Sequence, residues 1–164
     1  LFRFLEENRN GVMGRDDAIL AEMIRLSLEV KISYIERDPE ERKGIRSALN
    51  LGHTFSHALE SYMDYGISHG EGVAWGTAAA IRTGARLGIT PQDLASRTLA
   101  LLSLYGFSSD AYRIPADDFA SYSAAIGKDK KKSRGSVRFV LMEGQGKPVL
   151  IELPEDEIRK AVIG

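Results

Sequence analysis

The chain has 164 residues, 43% of them hydrophobic and 27% charged, with 22 Lys and Arg against 23 Asp and Glu for a formal net charge of −1. This is a globular composition for one domain, or two small ones, and its near-neutral balance excludes the broad basic surface of a nucleic-acid or anionic-membrane binder. The absence of Cys excludes disulfides, thiolate metal sites and a Cys nucleophile, so a metal would have to use His and carboxylates, which fits a cytoplasmic protein.

The opening LFRFLEEN reads as an amphipathic helix. It lacks the basic-then-apolar order of a signal peptide, and a start at Leu1 inside a helical pattern suggests a piece of something longer. No run approaches the roughly 18 apolar residues of a membrane span. From Ala18 to Ile35 apolar residues (Ile19, Leu20, Met23, Ile24, Leu28, Val30) recur three and four apart, which predicts a long helix capped by Asp16 or Asp17. Asp38-Pro39 ends it, because Pro39 has no amide hydrogen for a continuing helix, and EERKG follows as a loop.

A second helical pattern runs from Ile45 to Met63, and a third, rich in Ala and Gly, from about Gly70 to Leu87. Pro91 to Asp93 starts a helix that Gly106 stops, and a shorter one spans Ala116 to Ile126. After Gly127 the character changes. SVRFVLM and VLIEL flank the turn residues EGQGKP, predicting a β-hairpin over 136–153, and Pro154 opens a closing helix with acids first and bases later. The fold expected is mainly α, a multi-helix domain with one C-terminal β-hairpin.

All three His fall between positions 53 and 69: His53 and His57 in GHTFSH, and His69 in SHGEG. On one helix, His53 and His57 project from the same face, and Arg46 and Asn50 extend that face by steps of four and three. Leu49, Leu51, Phe55, Ala58 and Leu59 flank this stripe, so it is expected to be buried, where it costs stability unless ligands satisfy it. An HxxxH pair alone is more often a surface or hydrogen-bonded structural pair than a metal site, and His69 adds the third imidazole that a catalytic zinc uses. Glu71 is a candidate carboxylate ligand or a cap for the helix that starts there. Glu60 lies on the His57 side of its helix and could support a ligand from behind.

A basic run, Lys128, Lys130, Lys131, Lys132 and Arg134, precedes the first strand. It reads either as a solvated loop or as a clamp for phosphate or carboxylate, and it is too short for nucleic acid. Lys31, late in the first long helix, is equally a snorkelling side chain or an anion contact.

The string RSALNLGHTFSHALE, followed closely by SHGEGVAWG, resembles the zinc-binding signature of the 3-dehydroquinate synthases. DKKKSRGSVRFVL is similar to that family's lysine loop and strand, and LFRFLEEN with LEVK carries the resemblance over essentially the whole chain. It implies that residues 1–164 form the C-terminal metal- and substrate-binding domain, the N-terminal NAD-binding domain and a glutamate zinc ligand lying upstream. The resemblance makes His53 and His69 ligands to Zn2+ or Co2+, and His57 an acid–base group beside the metal. Lys31, Arg46 and Asn50 would contact substrate, and Lys130 or Lys131 its phosphate. Ser56 stands where the family usually has Gly, and the loop between Lys31 and Arg46 is one residue longer than the pattern.

The implied reaction is the NAD-dependent conversion of a seven-carbon sugar-acid phosphate, 3-deoxy-D-arabino-heptulosonate 7-phosphate, to 3-dehydroquinate in the shikimate pathway. Oxidation acidifies the neighbouring carbon, phosphate leaves, the ketone is reduced again and the ring closes by an aldol step. A homodimer is expected of the whole enzyme, and no activity from this chain alone. A related sugar-phosphate cyclase, a metal-dependent polyol dehydrogenase and a non-catalytic helical interaction domain are the alternatives.

Overall fold

The structure, a computed structural model, describes residues 1–40, 42, 44–132 and 137–163, with the side chains of 127–132 outside that description. Two short helices, α1 (Phe2–Glu7) and α2 (Arg9–Met13), lead into the long α3 (Asp17–Arg37). The Asp16 carboxylate caps α3 by accepting from the Ala18 and Ile19 amides at 3.0 Å each. Asp38 ends it as the following Pro requires. Its side chain is buried and accepts the Ile45 amide at 2.9 Å, which draws the next segment back against α3.

The single helix expected from Ile45 to Met63 is two elements. A 3₁₀ turn covers Ile45–Asn50, and α4 begins only at His53 and runs to Tyr62. Gly52 separates them with φ +79, a left-handed conformation that glycine adopts without a Cβ penalty. Arg46 and Asn50 therefore do not continue the face of α4 that carries His53 and His57.

Helix α5 (His69–Arg86) starts from a complete capping box: Ser68 Oγ accepts the Glu71 amide while Glu71 accepts the Ser68 amide. Then come α6 (Gln92–Leu104), a 3₁₀ turn at Ala116–Asp118, and α7 (Phe119–Lys132). Helix α7 runs six residues past the predicted end at Ile126 and takes in most of the basic run. Lys is a good helix former, and cations are favoured at a helix C-terminus. The predicted hairpin is present as β1 (Arg138–Gly144) and β2 (Lys147–Glu152), antiparallel with Phe139 opposite Ile151 and Leu141 opposite Val149. Helix α8 (Glu155–Val162) closes the chain. Among the described residues no helix is long and apolar enough to cross a membrane.

The core is built from Phe55 and Leu59 of α4, Trp75 and Ala79 of α5, Tyr122 of α7, Phe139 and Leu141 of β1, and Ile158 of α8. Its two polar-tipped aromatics are satisfied: Trp75 Nε1 donates to the Tyr112 carbonyl at 2.8 Å, and the Tyr122 hydroxyl to the Phe55 carbonyl at 3.0 Å. By contrast, α3 buries none of its residues, and Ile24, Leu28 and Ile32, four apart, stay exposed.

Helices α4 and α5 meet at two glycines. A Cβ on Gly76 would stand 2.2 Å from the Gly52 carbonyl oxygen and 3.0 Å from the Ser56 amide nitrogen. Both obstacles are backbone and cannot rotate away. Gly76→Ala is expected to lower the unfolding free energy by about 1–3 kcal/mol in urea denaturation. Gly70→Ala is the control: its Cβ would meet nothing within 4 Å, and it should be neutral or slightly stabilising.

Candidate metal and anion site

Helices α4 and α5 each begin with a histidine, His53 and His69, and His57 lies one turn into α4. The close packing of the two helices brings the three imidazoles together. Ring centroids are 5.6 Å apart for His53 and His57, 5.5 Å for His53 and His69, and 5.9 Å for His57 and His69. Rings this close can turn nitrogens toward one point, and an imidazole donor set suits zinc or cobalt. The stripe is not buried as expected: His57 and Asn50 are exposed, and His53 and Arg46 half-buried. The exposed His57 and the half-buried His53 are thus open to solvent.

His53 Nδ1 lies 3.3 Å from the Leu51 carbonyl oxygen. A carbonyl only accepts, so Nδ1 carries the proton and the Nε2 lone pair is free. No hydrogen bond to the His57 ring is present among the described residues. Glu60, on the last turn of α4, is buried, and its Oε1 lies 2.8 Å from Ser56 Oγ and 2.9 Å from His69 Nδ1. Burial pushes its carboxyl upward, and the bonds to Ser56 and His69 outweigh this and hold it below the ordinary range. Donor atoms of His57, Glu60 and His69 lie within 4.8 Å of one another. Glu60 thus touches His69 across the helix pair, although its position in the sequence pointed to His57. The spacing of Ser56 and Glu60, four apart on one helix, was the available signal for that buried pair. Glu71 is taken up in the capping box of α5, its Oε2 accepting from Ser68 Oγ at 2.6 Å.

Arg46 and Asn50, leaving α4 by way of the Gly52 turn, open onto a different surface. With Lys31 and Ser27 of α3, and with Leu49 and His53, they line a cavity of about 430 Å³. The cavity sets two cations, one amide and one imidazole around a space of small-ligand size, a composition that suits an anionic, hydroxyl-bearing molecule. His53 belongs both to this cavity and to the imidazole cluster. Lys130 and Lys131 fall in the last turn of α7, but their side chains, like Arg134, lie outside the described residues.

The sequence profile described as 3-dehydroquinate synthase C-terminal matches residues 1–132, a stretch that includes the three histidines and the cavity. The 3-dehydroquinate synthase of Roseobacter denitrificans is 40% identical over 149 residues, covering 88% of this chain and 40% of the relative. That of Acinetobacter baumannii is 38% identical over 161 residues, covering 98% and 44%. The chain therefore spans less than half the length of these relatives. Among solved structures, a 2-epi-5-epi-valiolone synthase from Streptomyces hygroscopicus, with NAD+ and Zn2+ bound, shares the fold with a TM-score of 0.79 at 20% identity, covering 98% of this chain and 44% of that one. A 2-deoxy-scyllo-inosose synthase complexed with carbaglucose-6-phosphate, NAD+ and Co2+ has a TM-score of 0.59 at 26% identity, over 74% of this chain and 35% of that one. With the profile matching most of its length, this chain belongs to the 3-dehydroquinate synthase C-terminal family.

Proposed function

We propose that the chain is the metal- and substrate-binding part of a 3-dehydroquinate synthase. Such an enzyme converts 3-deoxy-D-arabino-heptulosonate 7-phosphate to 3-dehydroquinate with loss of phosphate. One observation carries the reading: a cavity edged by Lys31, Arg46 and Asn50 shares His53 with a cluster of three imidazoles. An N-terminal NAD-binding domain, a homodimeric assembly and a cytoplasmic location complete the proposal.

His53 and His69 would hold a divalent ion together with a glutamate from outside this chain. Bound there, the ion supplies Lewis acidity toward a substrate hydroxyl, and NAD supplies a reversible hydride acceptor. Lys31 and Arg46 hold the acid end of the substrate by charge, and Asn50 orients a hydroxyl by hydrogen bonding. Lys130 or Lys131 takes the phosphate. His57, exposed and beside the ligating pair, moves protons between substrate and solvent. The N-terminal ends of α4 and α5, carrying partial positive charge, favour the same anionic substrate.

The deciding experiment measures phosphate release by the complete protein from the seven-carbon substrate, with and without NAD+ and with and without divalent metal. Dependence on both supports the enzyme, and no turnover supports a helical interaction domain. In that enzyme His57→Ala is expected to lower kcat about 10²–10⁴-fold with metal content intact. His53→Ala and His69→Ala should lose the metal. The 4.8 Å grouping of His57, Glu60 and His69 favours a second reading in which those three hold the ion. Metal retained in His53→Ala and lost in His57→Ala would establish it.

Arg46→Ala is expected to lower kcat/KM about ten- to a hundredfold, the worth of roughly 1.5–3 kcal/mol for a hydrogen bond to a charged group. Steady-state kinetics with the same substrate checks it, and an unchanged kcat/KM would remove Arg46 from the site.

A further inference from the structure

Behind the imidazoles lies a buried pair that the proposed reaction does not use. Ser56 is 0% exposed and Glu60 9%, and the Ser56 hydroxyl donates to Glu60 Oε1 at 2.8 Å. That same oxygen lies 2.9 Å from Nδ1 of His69, on the other helix. We propose that Glu60, braced by Ser56, is a positioning residue that fixes His69 as its Nδ1–H tautomer and leaves Nε2 as the metal-binding nitrogen.

The chemistry follows from donor and acceptor types. An ionised carboxylate can only accept, so the nitrogen facing it must carry a proton. A neutral imidazole protonated at Nδ1 has its lone pair at Nε2, the nitrogen on the far side of the ring from Glu60. In water a free histidine favours the opposite tautomer, so this arrangement requires the carboxylate. Packing does not hold the ring instead, because the His69 side chain is 60% exposed whereas that of Glu60 is 11% exposed. A fixed oxygen on one side of a mobile imidazole is how a ligand's orientation and basicity are set.

The brace is built into the helix pair. Ser56 and Glu60 are one turn apart on α4, and Gly72 lies three residues after His69 on α5. A Cβ on Gly72 would stand 2.7 Å from Ser56 Oγ and 2.9 Å from Glu60 Oε1. The glycine is what lets the carboxylate reach across to His69. The Ser56 hydroxyl and the His69 ring thus hold one carboxylate oxygen from two sides.

The role rests on the reading of His69 as a metal ligand, and the test separates the two. Long-range ¹H–¹⁵N correlation spectra of the ¹⁵N-histidine-labelled chain, without metal and above the ordinary histidine pKa, report the tautomer of each ring. His69 is expected as Nδ1–H in the wild type and in Glu60→Gln, whose amide oxygen still accepts. It should shift toward Nε2–H in Glu60→Ala. In the zinc-loaded complete enzyme, competition with a chelator should give a Kd raised about 10–100-fold by Glu60→Ala and less by Glu60→Gln or Ser56→Gly. A wild-type His69 in the Nε2–H form, or a tautomer unmoved in Glu60→Ala, would overturn the proposal. So would equal zinc losses in the Ala and Gln variants, which would make Glu60 a direct ligand. His69→Ala with full zinc content would instead sink the functional reading beneath it, whatever the spectra show.

Discussion

The site depends on how closely two backbones approach. Gly52 enters α4 in a left-handed conformation, and its carbonyl oxygen lies only 2.2 Å from where a Cβ on Gly76 of α5 would be. That contact sets the separation of the helices. With a histidine at the first position of each, it brings His53 and His69 to 5.5 Å between ring centroids. Gly52 also separates α4 from the 3₁₀ turn that ends at Asn50, so that Arg46 and Asn50 line a cavity with Lys31 of α3. One conformational requirement thereby yields two surfaces, an imidazole cluster and a cationic cavity, joined at His53.

The remaining packing keeps this arrangement in place. Tyr122 of α7 donates to the carbonyl of Phe55, and Phe139 of β1 packs against the Phe55 ring in a tilted arrangement, 4.8 Å between centroids. The face of α4 opposite the histidines is therefore occupied by aromatic core. Buried Asp38 ties the segment leading to Arg46 back to the end of α3. Although α3 contributes no buried residue, it supplies Lys31 and Ser27 to the cavity wall.

Much of this was legible in the sequence. Periodicity marked α3, an Ala- and Gly-rich stretch marked α5, Pro91 and Gly106 bounded α6, Pro39 marked the break after Asp38, and the alternation around EGQGKP marked the hairpin. The concentration of all three histidines within a short stretch marked the site. The break at Leu51–Gly52 was hidden, because the apolar pattern runs through it and the reason for a left-handed glycine is a neighbour on another helix. The extent of α7 was missed because a run of lysines reads as solvated loop although Lys is no obstacle to a helix. The expected burial of the stripe failed separately: His57 is exposed on α4 itself, because the core packs on the face that carries Phe55 and Leu59. Glu60 to His69 is a contact between helices, and no spacing within one segment reveals it.

Gly72 carries a consequence for how this sequence can change over time. The hydroxymethyl group at position 56 and the carboxylate of Glu60 together fill the room that any side chain at 72 would need. Substitutions at 56 and 72 are therefore not independent: a bulkier residue at either is tolerated only if the other shrinks or Glu60 withdraws. With Ser at 56 and Glu at 60, position 72 is held at glycine by its neighbours across the helix interface, though its own backbone is ordinary helix.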